Sequence, residues 1–230
     1  MSGALGDVYR SILKACCAPI FWYRPGGPII HSGTLTFVRT PKRLIGITAA
    51  HVLRQYEQDH SEIPVRLQVM NAVWDMPEII AVSDTHDLAT ISVPQEKVSQ
   101  IGKELAPLTN WPPIIPQEDR AIMLAGYPGV DRIQPNPFAV DWGLFTGLGI
   151  ARRVVGPQIT WRVDRDLGRG NLPSNHNLGG ISGGPLIGWF ESKRQLTEYR
   201  LSGIVTEASS QLEYVVAARA DVLTDDGSLH

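Results

Sequence analysis

The chain is made of short apolar or alternating runs, each stopped within a few residues by Gly, Pro, Asn or Asp, and this punctuation favours a β-rich fold. Ile20 to Tyr23, Thr34 to Val38, Leu44 to Thr48, Val65 to Val69 and Glu78 to Val82 form a first series of predicted strands. Ala121 to Ala125, Leu144 to Val155, Gln158 to Val163, Pro185 to Phe190, Tyr199 to Thr206 and Tyr214 to Ala217 form a second. Between the series, Pro107 to Gln117 is proline-rich and contains Trp111-Pro112-Pro113, a connector of restricted backbone freedom. With 22 glycines and 17 prolines in 230 residues, there are turn formers enough to separate so many strands.

The N-terminus has a different period. Leu5, Val8, Ile12 and Cys16 recur at helical spacing, which predicts a short amphipathic helix ending before Pro19 and packed on the body. The last residues, Thr224 to His230, are expected to fray. A chain of this length can bury a core without disulfides or metals, and its two cysteines, Cys16 and Cys17, are neighbours that bridge only through a strained ring. No disulfide framework is therefore expected. A net charge of -2 creates no field that would gather nucleic acid or an acidic membrane. Asp7, Arg10 and Lys14 interrupt any secretory leader, and no apolar run is long enough for a bilayer, so a reducing, cytoplasmic setting is expected.

Three segments carry candidate chemistry. In Gly179-Gly180-Ile181-Ser182-Gly183-Gly184-Pro185, glycines on both sides of a serine permit a sharp turn that brings backbone amides close to a bound acyl group. A serine hydroxyl needs a positioned base, and His51 follows the apolar run Ile47-Thr48-Ala49-Ala50, where a strand is expected to meet a turn. Asp87 heads the strand pattern Leu88 to Val93 and is suited to hold the tautomer of a histidine; Asp84 is the rival, set aside because the apolar strand follows Asp87 directly.

Together these residues resemble the trypsin/chymotrypsin family of serine proteases. Thr48-Ala49-Ala50-His51 is similar to its histidine motif, Asp87-Leu88-Ala89 to its aspartate motif and Gly180-Ile181-Ser182-Gly183-Gly184-Pro185 to its serine motif, in the family's order. Ser32 to Phe37 and Ser202 to Thr206 look like the strands that precede the histidine and flank the cleft, so the resemblance covers most of Ala18 to Leu223. It implies an all-β fold of two six-stranded antiparallel β-barrels packed at right angles. The expected parts are a helical extension over 1–17, a lobe over 18–110 bearing His51 and Asp87, and a lobe over 111–230 bearing Ser182, together one catalytic domain. It further implies a serine endopeptidase acting on protein or peptide substrates, with the amides of Gly180 and Ser182 as oxyanion hole. Thr206 is placed to donate to Asp87, and His176, Thr206, Glu207 and Ala208 to line the substrate pocket. No cofactor or metal is implied.

The chain departs from the digestive and clotting branches at Ile181, which stands where they carry an aspartate that pairs with a newly cleaved N-terminus. Control by that ion pair is not expected, which leaves room for a protein activator or regulator, or for ordering of the loop Asn171 to Gly180 by substrate. A latent or inactive protease-fold module that binds a peptide or protein partner is the alternative. An α/β-hydrolase elbow is excluded by chain order, since only His230 follows Ser182. The histidines lack H-E-x-x-H spacing, and the glycine-rich stretches lack the lysine or helix opening of a phosphate loop.

Overall fold

The computed structural model describes residues 4–103, 111–136, 139–162, 176–191, 197–209 and 214–230. After helix α1 (Ala4–Cys16), the chain forms β1 (Cys17–Tyr23), β2 (Ile29–Arg39), β3 (Leu44–Ala49), helix α2 (Ala50–Glu62), β4 (Arg66–Val69), β5 (Ala72–Trp74), β6 (Ile79–Ser83), β7 (Leu88–Ser92) and helix α3 (Gln95–Gln100). The seven strands make one antiparallel sheet in the order β5-β4-β1-β2-β3-β7-β6. The second half adds β8 (Ala121–Gly126), the paired β9 (Arg132–Asn136) and β10 (Ala139–Trp142), then β11 (Phe145–Val155), β12 (Gln158–Arg162), β13 (Pro185–Glu191), β14 (Thr197–Ser209) and β15 (Tyr214–Arg219). Six of these close into a barrel in the order β11-β12-β15-β14-β13-β8.

The expected pair of six-stranded barrels is thus met in the second half only. The first half is a seven-stranded sheet, because Met70, at φ 54, turns β4 back into a short β5 whose three residues carry too little pattern to be seen in the sequence. β1 begins three residues before the predicted Ile20 and runs through Pro19. Proline is accommodated there because β1 pairs with β4 only from Ile20 onward, so the missing N–H falls outside that ladder.

Three apolar clusters organise the interior. Ile20, Trp22, Leu35, Phe37 and Ile91 fill the first lobe, while Ile122, Leu124, Ile159, Trp161 and Val215 fill the barrel. The third cluster joins Ile45, Ile47 and Leu88 of the sheet to Met123, Ile187 and Ile204 of the barrel. Burying each such side chain is worth roughly 1.5–3 kcal/mol, so this seam fixes one lobe against the other.

Both ends of the chain are held. α1 packs through Leu13 and Cys16, whereas Val8, placed by its spacing on the packed face, is 53% exposed. The C-terminus does not fray as expected. Buried Thr90 donates to the Gly227 carbonyl at 2.7 Å, Trp111 Nε1 donates to Asp225 at 2.6 Å, and the His230 amide bonds to the Val222 carbonyl at 3.0 Å. Of the predicted connector, 107–110 lies outside the described residues, and Ile114 is tied to the Leu201 carbonyl. Among the described residues no helix is long and apolar enough to cross a membrane. Cys16 and Cys17 are free and buried.

Candidate active site

His51 lies on the first turn of helix α2, not in the turn expected after the strand. The four leading amides of a helix have no partner within it, and the residue before α2, Ala49, has no side chain able to cap them. Asp87 supplies what is missing from the head of the neighbouring strand β7. Its carbonyl accepts the Ala50 amide at 2.9 Å, its Oδ1 accepts the His51 amide at 2.9 Å, and its Oδ2 stands 2.7 Å from His51 Nδ1. A carboxylate at a helix N-terminus is also favoured by the helix dipole. Asp87 adopts φ 50, a left-handed conformation that Asp tolerates better than most residues, and the β3–β7 register brings Leu88 opposite Ala49. The rival Asp84 is engaged elsewhere, in an ion pair with Arg54.

Ser182 arrives from the other lobe. Its carbonyl accepts the Thr34 amide of β2 at 2.8 Å, and a Cβ added at Gly33 would lie 2.8 Å from Val52 Cγ1 and 3.4 Å from that same carbonyl oxygen. The serine turn and the first turn of α2 therefore flank one residue of β2. The Ser182 hydroxyl donates to the Thr206 carbonyl at 3.2 Å. Ile181 is fully buried in the barrel core.

Two glycines of the turn have no substitute. Gly180 sits at φ +104 with space for no Cβ between the Tyr127 carbonyl (2.8 Å) and the Gly129 amide (3.0 Å). Gly183 sits at φ +93, where a Cβ would stand 1.9 Å from the Thr34 carbonyl. Gly179 O accepts the Gly129 amide at 2.8 Å, and because carbonyl and N–H of a trans peptide point opposite ways, this bond turns the Gly180 N–H outward from the Tyr127–Gly129 segment.

The predicted pocket residues are only partly brought together. Thr206 does not reach Asp87: its hydroxyl bonds to the Val216 carbonyl at 3.4 Å, because a β-bulge between Val205 and Glu207 directs it along the sheet. Glu207 accepts the Tyr214 hydroxyl at 2.7 Å, and this bond pushes the tyrosine upward from its ordinary pKa. Ala208 packs against the barrel core. His176 makes contact with Asp131 at 3.2 Å, a partner 45 residues away that no motif spacing marks. Asn171 to Asn175 of the loop lie outside the described residues. A cleft of ≈ 760 Å³ opens elsewhere, between the β1–β2 turn, β4 and the β9–β10 hairpin, lined by Phe21, Tyr23, Arg66, Gln134 and Val140 among others and by none of the predicted pocket residues. Among the described residues no group of three or more His, Cys, Asp or Glu could hold a metal ion.

Behind the serine turn, Lys103 is almost fully buried; its ammonium donates to the Lys14 carbonyl of α1 at 2.7 Å and to the Tyr127 hydroxyl at 3.1 Å. Burial lowers its pKa and raises that of Cys17, beside it, to about 12. Thr34 and Thr36, which donate to carbonyls of the serine turn, and Lys103 are marked by no motif. The Thr34-x-Thr36 alternation, which places two hydroxyls on one face of β2, is the available signal.

No family model matches the sequence, and no curated protein is significantly similar to it. Solved structures do resemble it. Deg5 superposes with a TM-score of 0.57 at 12% identity, over 95% of this chain and 91% of that one. The active form of the Rv3671c protease from M. tuberculosis gives 0.51 at 17% identity, over 96% and 84%. A structure concerned with the coupled folding and binding of the Sesbania mosaic virus VPg protein gives 0.50 at 16%, over 88% and 85%. At these identities the likeness is one of fold alone, and the fold is trypsin-like.

Proposed function

We propose that the chain is a serine endopeptidase in which residues 18–110 and 111–230 form the two lobes of one catalytic unit. His51 takes the hydroxyl proton as Ser182 Oγ bonds to the carbonyl carbon of a peptide, and returns it to the leaving amine as the C–N bond breaks. Water then hydrolyses the acyl-enzyme by the same route. Asp87 holds the ring with Nδ1 protonated and stabilises the imidazolium, and the Gly180 and Ser182 amides receive the developing oxyanion. The observation that carries this reading is the double grip of Asp87 on His51, backbone and ring, at 2.9 and 2.7 Å. The two buried free thiols fit a reducing, cytoplasmic setting.

The bond from the Ser182 hydroxyl to the Thr206 carbonyl favours a second reading, a resting form whose serine turns to the histidine only when substrate or a protein activator is bound. A quenched-fluorescence peptide library tests both. Cleavage by the wild type that is lost in Ser182→Ala supports the endopeptidase, cleavage only after addition of cell lysate supports the resting form, and cleavage that survives in Ser182→Ala contradicts the proposal.

A further inference from the structure

An oxyanion hole works only if the peptide planes beside the nucleophile are fixed before substrate arrives. In this chain the ion pair that Ile181 precludes cannot do so, and Ile181 is itself packed in the barrel core. Beside the bonds that Gly129 and Val205 of its own lobe make to the turn, three more reach its carbonyls from the opposite lobe. Thr34 of β2 makes two of them: its amide donates to the Ser182 carbonyl at 2.8 Å and its hydroxyl donates to the Gly180 carbonyl at 2.9 Å, while that hydroxyl accepts the Tyr127 amide at 3.0 Å. Thr36, two residues on and on the same face, donates to the Gly183 carbonyl at 2.7 Å. Thr48 of β3 donates to the Thr34 carbonyl at 2.8 Å and so supports the strand from behind.

We infer that the Thr34 hydroxyl is the positioning group of the oxyanion turn, doing from the first lobe what an N-terminal ion pair would do from the second. This rests on the endopeptidase reading above for its consequence in catalysis, though not for its geometry. Gly180 is gripped on both sides: Gly129 fixes the peptide before it and Thr34 the peptide after it, and with both carbonyls held, the φ of +104 between them has no freedom to flip the Gly180 amide away. The Thr34 hydroxyl is itself oriented, since accepting from the Tyr127 amide leaves its proton free only for Gly180. Tyr127 is anchored in turn through its ring hydroxyl, which takes a bond from Lys103 at 3.1 Å and gives one to the Cys17 carbonyl at 3.4 Å. Thr34, Thr36 and Lys103 are all buried, so solvent does not compete for these bonds.

The test compares Thr34→Val, which keeps the shape and removes the hydroxyl, with Thr34→Ser, which restores it. Two readouts are taken: steady-state kinetics on a cleaved peptide, and hydrogen–deuterium exchange of the segment 179–184. Thr34→Val is expected to lower kcat by ~10- to 100-fold with little change in KM and to speed exchange in that segment alone, while Thr34→Ser recovers most of both. A Thr34→Val protein with wild-type kcat and wild-type exchange overturns the inference. So does a general rise in exchange across both lobes that Thr34→Ser shares, which would make Thr34 a packing residue. If the wild type cleaves no peptide, the endopeptidase reading fails, but the exchange comparison still decides whether Thr34 holds the turn.

Discussion

The two halves of the candidate site are held in opposite ways. His51 and Asp87 belong to one lobe, lie on adjacent elements in register, and are joined by bonds that also complete the first turn of α2. Their geometry is a by-product of forming the sheet and the helix. Ser182 stands on a glycine turn of the other lobe that bonds to β2 through Thr34 and Thr36 and to its own lobe through Gly129, Val205 and Thr206. Part of its geometry depends on the lobes being docked. A histidine secured within one lobe and a serine turn secured partly across a seam give the molecule a natural place to be switched, since loosening the seam disturbs the serine turn and spares the histidine.

The largest expected effects come from the reacting groups themselves. Ser182→Ala should lower turnover by about a millionfold in a peptide-cleavage assay. Asp87→Asn should cost about ten-thousandfold, because the amide favours the wrong ring tautomer, and measuring kcat at several pH values separates this from loss of fold. Gly183→Ala separates the serine turn from the histidine. With φ +93 and the Thr34 carbonyl 1.9 Å from the new Cβ, it should cost more than about 3 kcal/mol in urea unfolding and abolish turnover, while the α2 amides of Ala50 and His51 stay protected from exchange.

Smaller effects lie at the edges of the seam. Removing 224–230 strips the Thr90 hydroxyl of its Gly227 partner and uncovers Ile45, which should cost about 1–3 kcal/mol and lower the Tm. The smallest is electrostatic. Bonding to Arg219 holds Asp221 below its ordinary carboxylate pKa, so its contribution is complete above the unfolded value near 4 and is lost as pH falls through the lower folded one. The urea midpoint of Asp221→Asn should therefore show a shallower fall on acidification than the wild type.

Much of this arrangement was legible in the sequence, for physical reasons. The strands of both halves carry the alternation or apolar runs that burial demands, and the glycines around Ser182 announce a backbone no other residue adopts. The rest depends on context that overrides the local pattern. Ala50 to Glu62 follows an apolar strand with no capping side chain of its own, and it becomes helical with its cap supplied from Asp87. Thr224 to His230 looks like a polar tail, yet its carbonyls are what Thr40 and Thr90 of the first lobe bond to. Thr206, expected to donate to Asp87, bonds instead to Val216 beside a bulge that no spacing reveals. Lys103 and Asp131 act through partners far along the chain, which a linear motif does not record.

Activation of Ser182 by His51 is measured by treating the protein with a fluorophosphonate and locating the adduct by peptide mass spectrometry. A single adduct on Ser182 is expected in the wild type, strongly slowed in His51→Ala and absent in Ser182→Ala. An adduct on another residue, or equal labelling of Ser182 with and without His51, would contradict it.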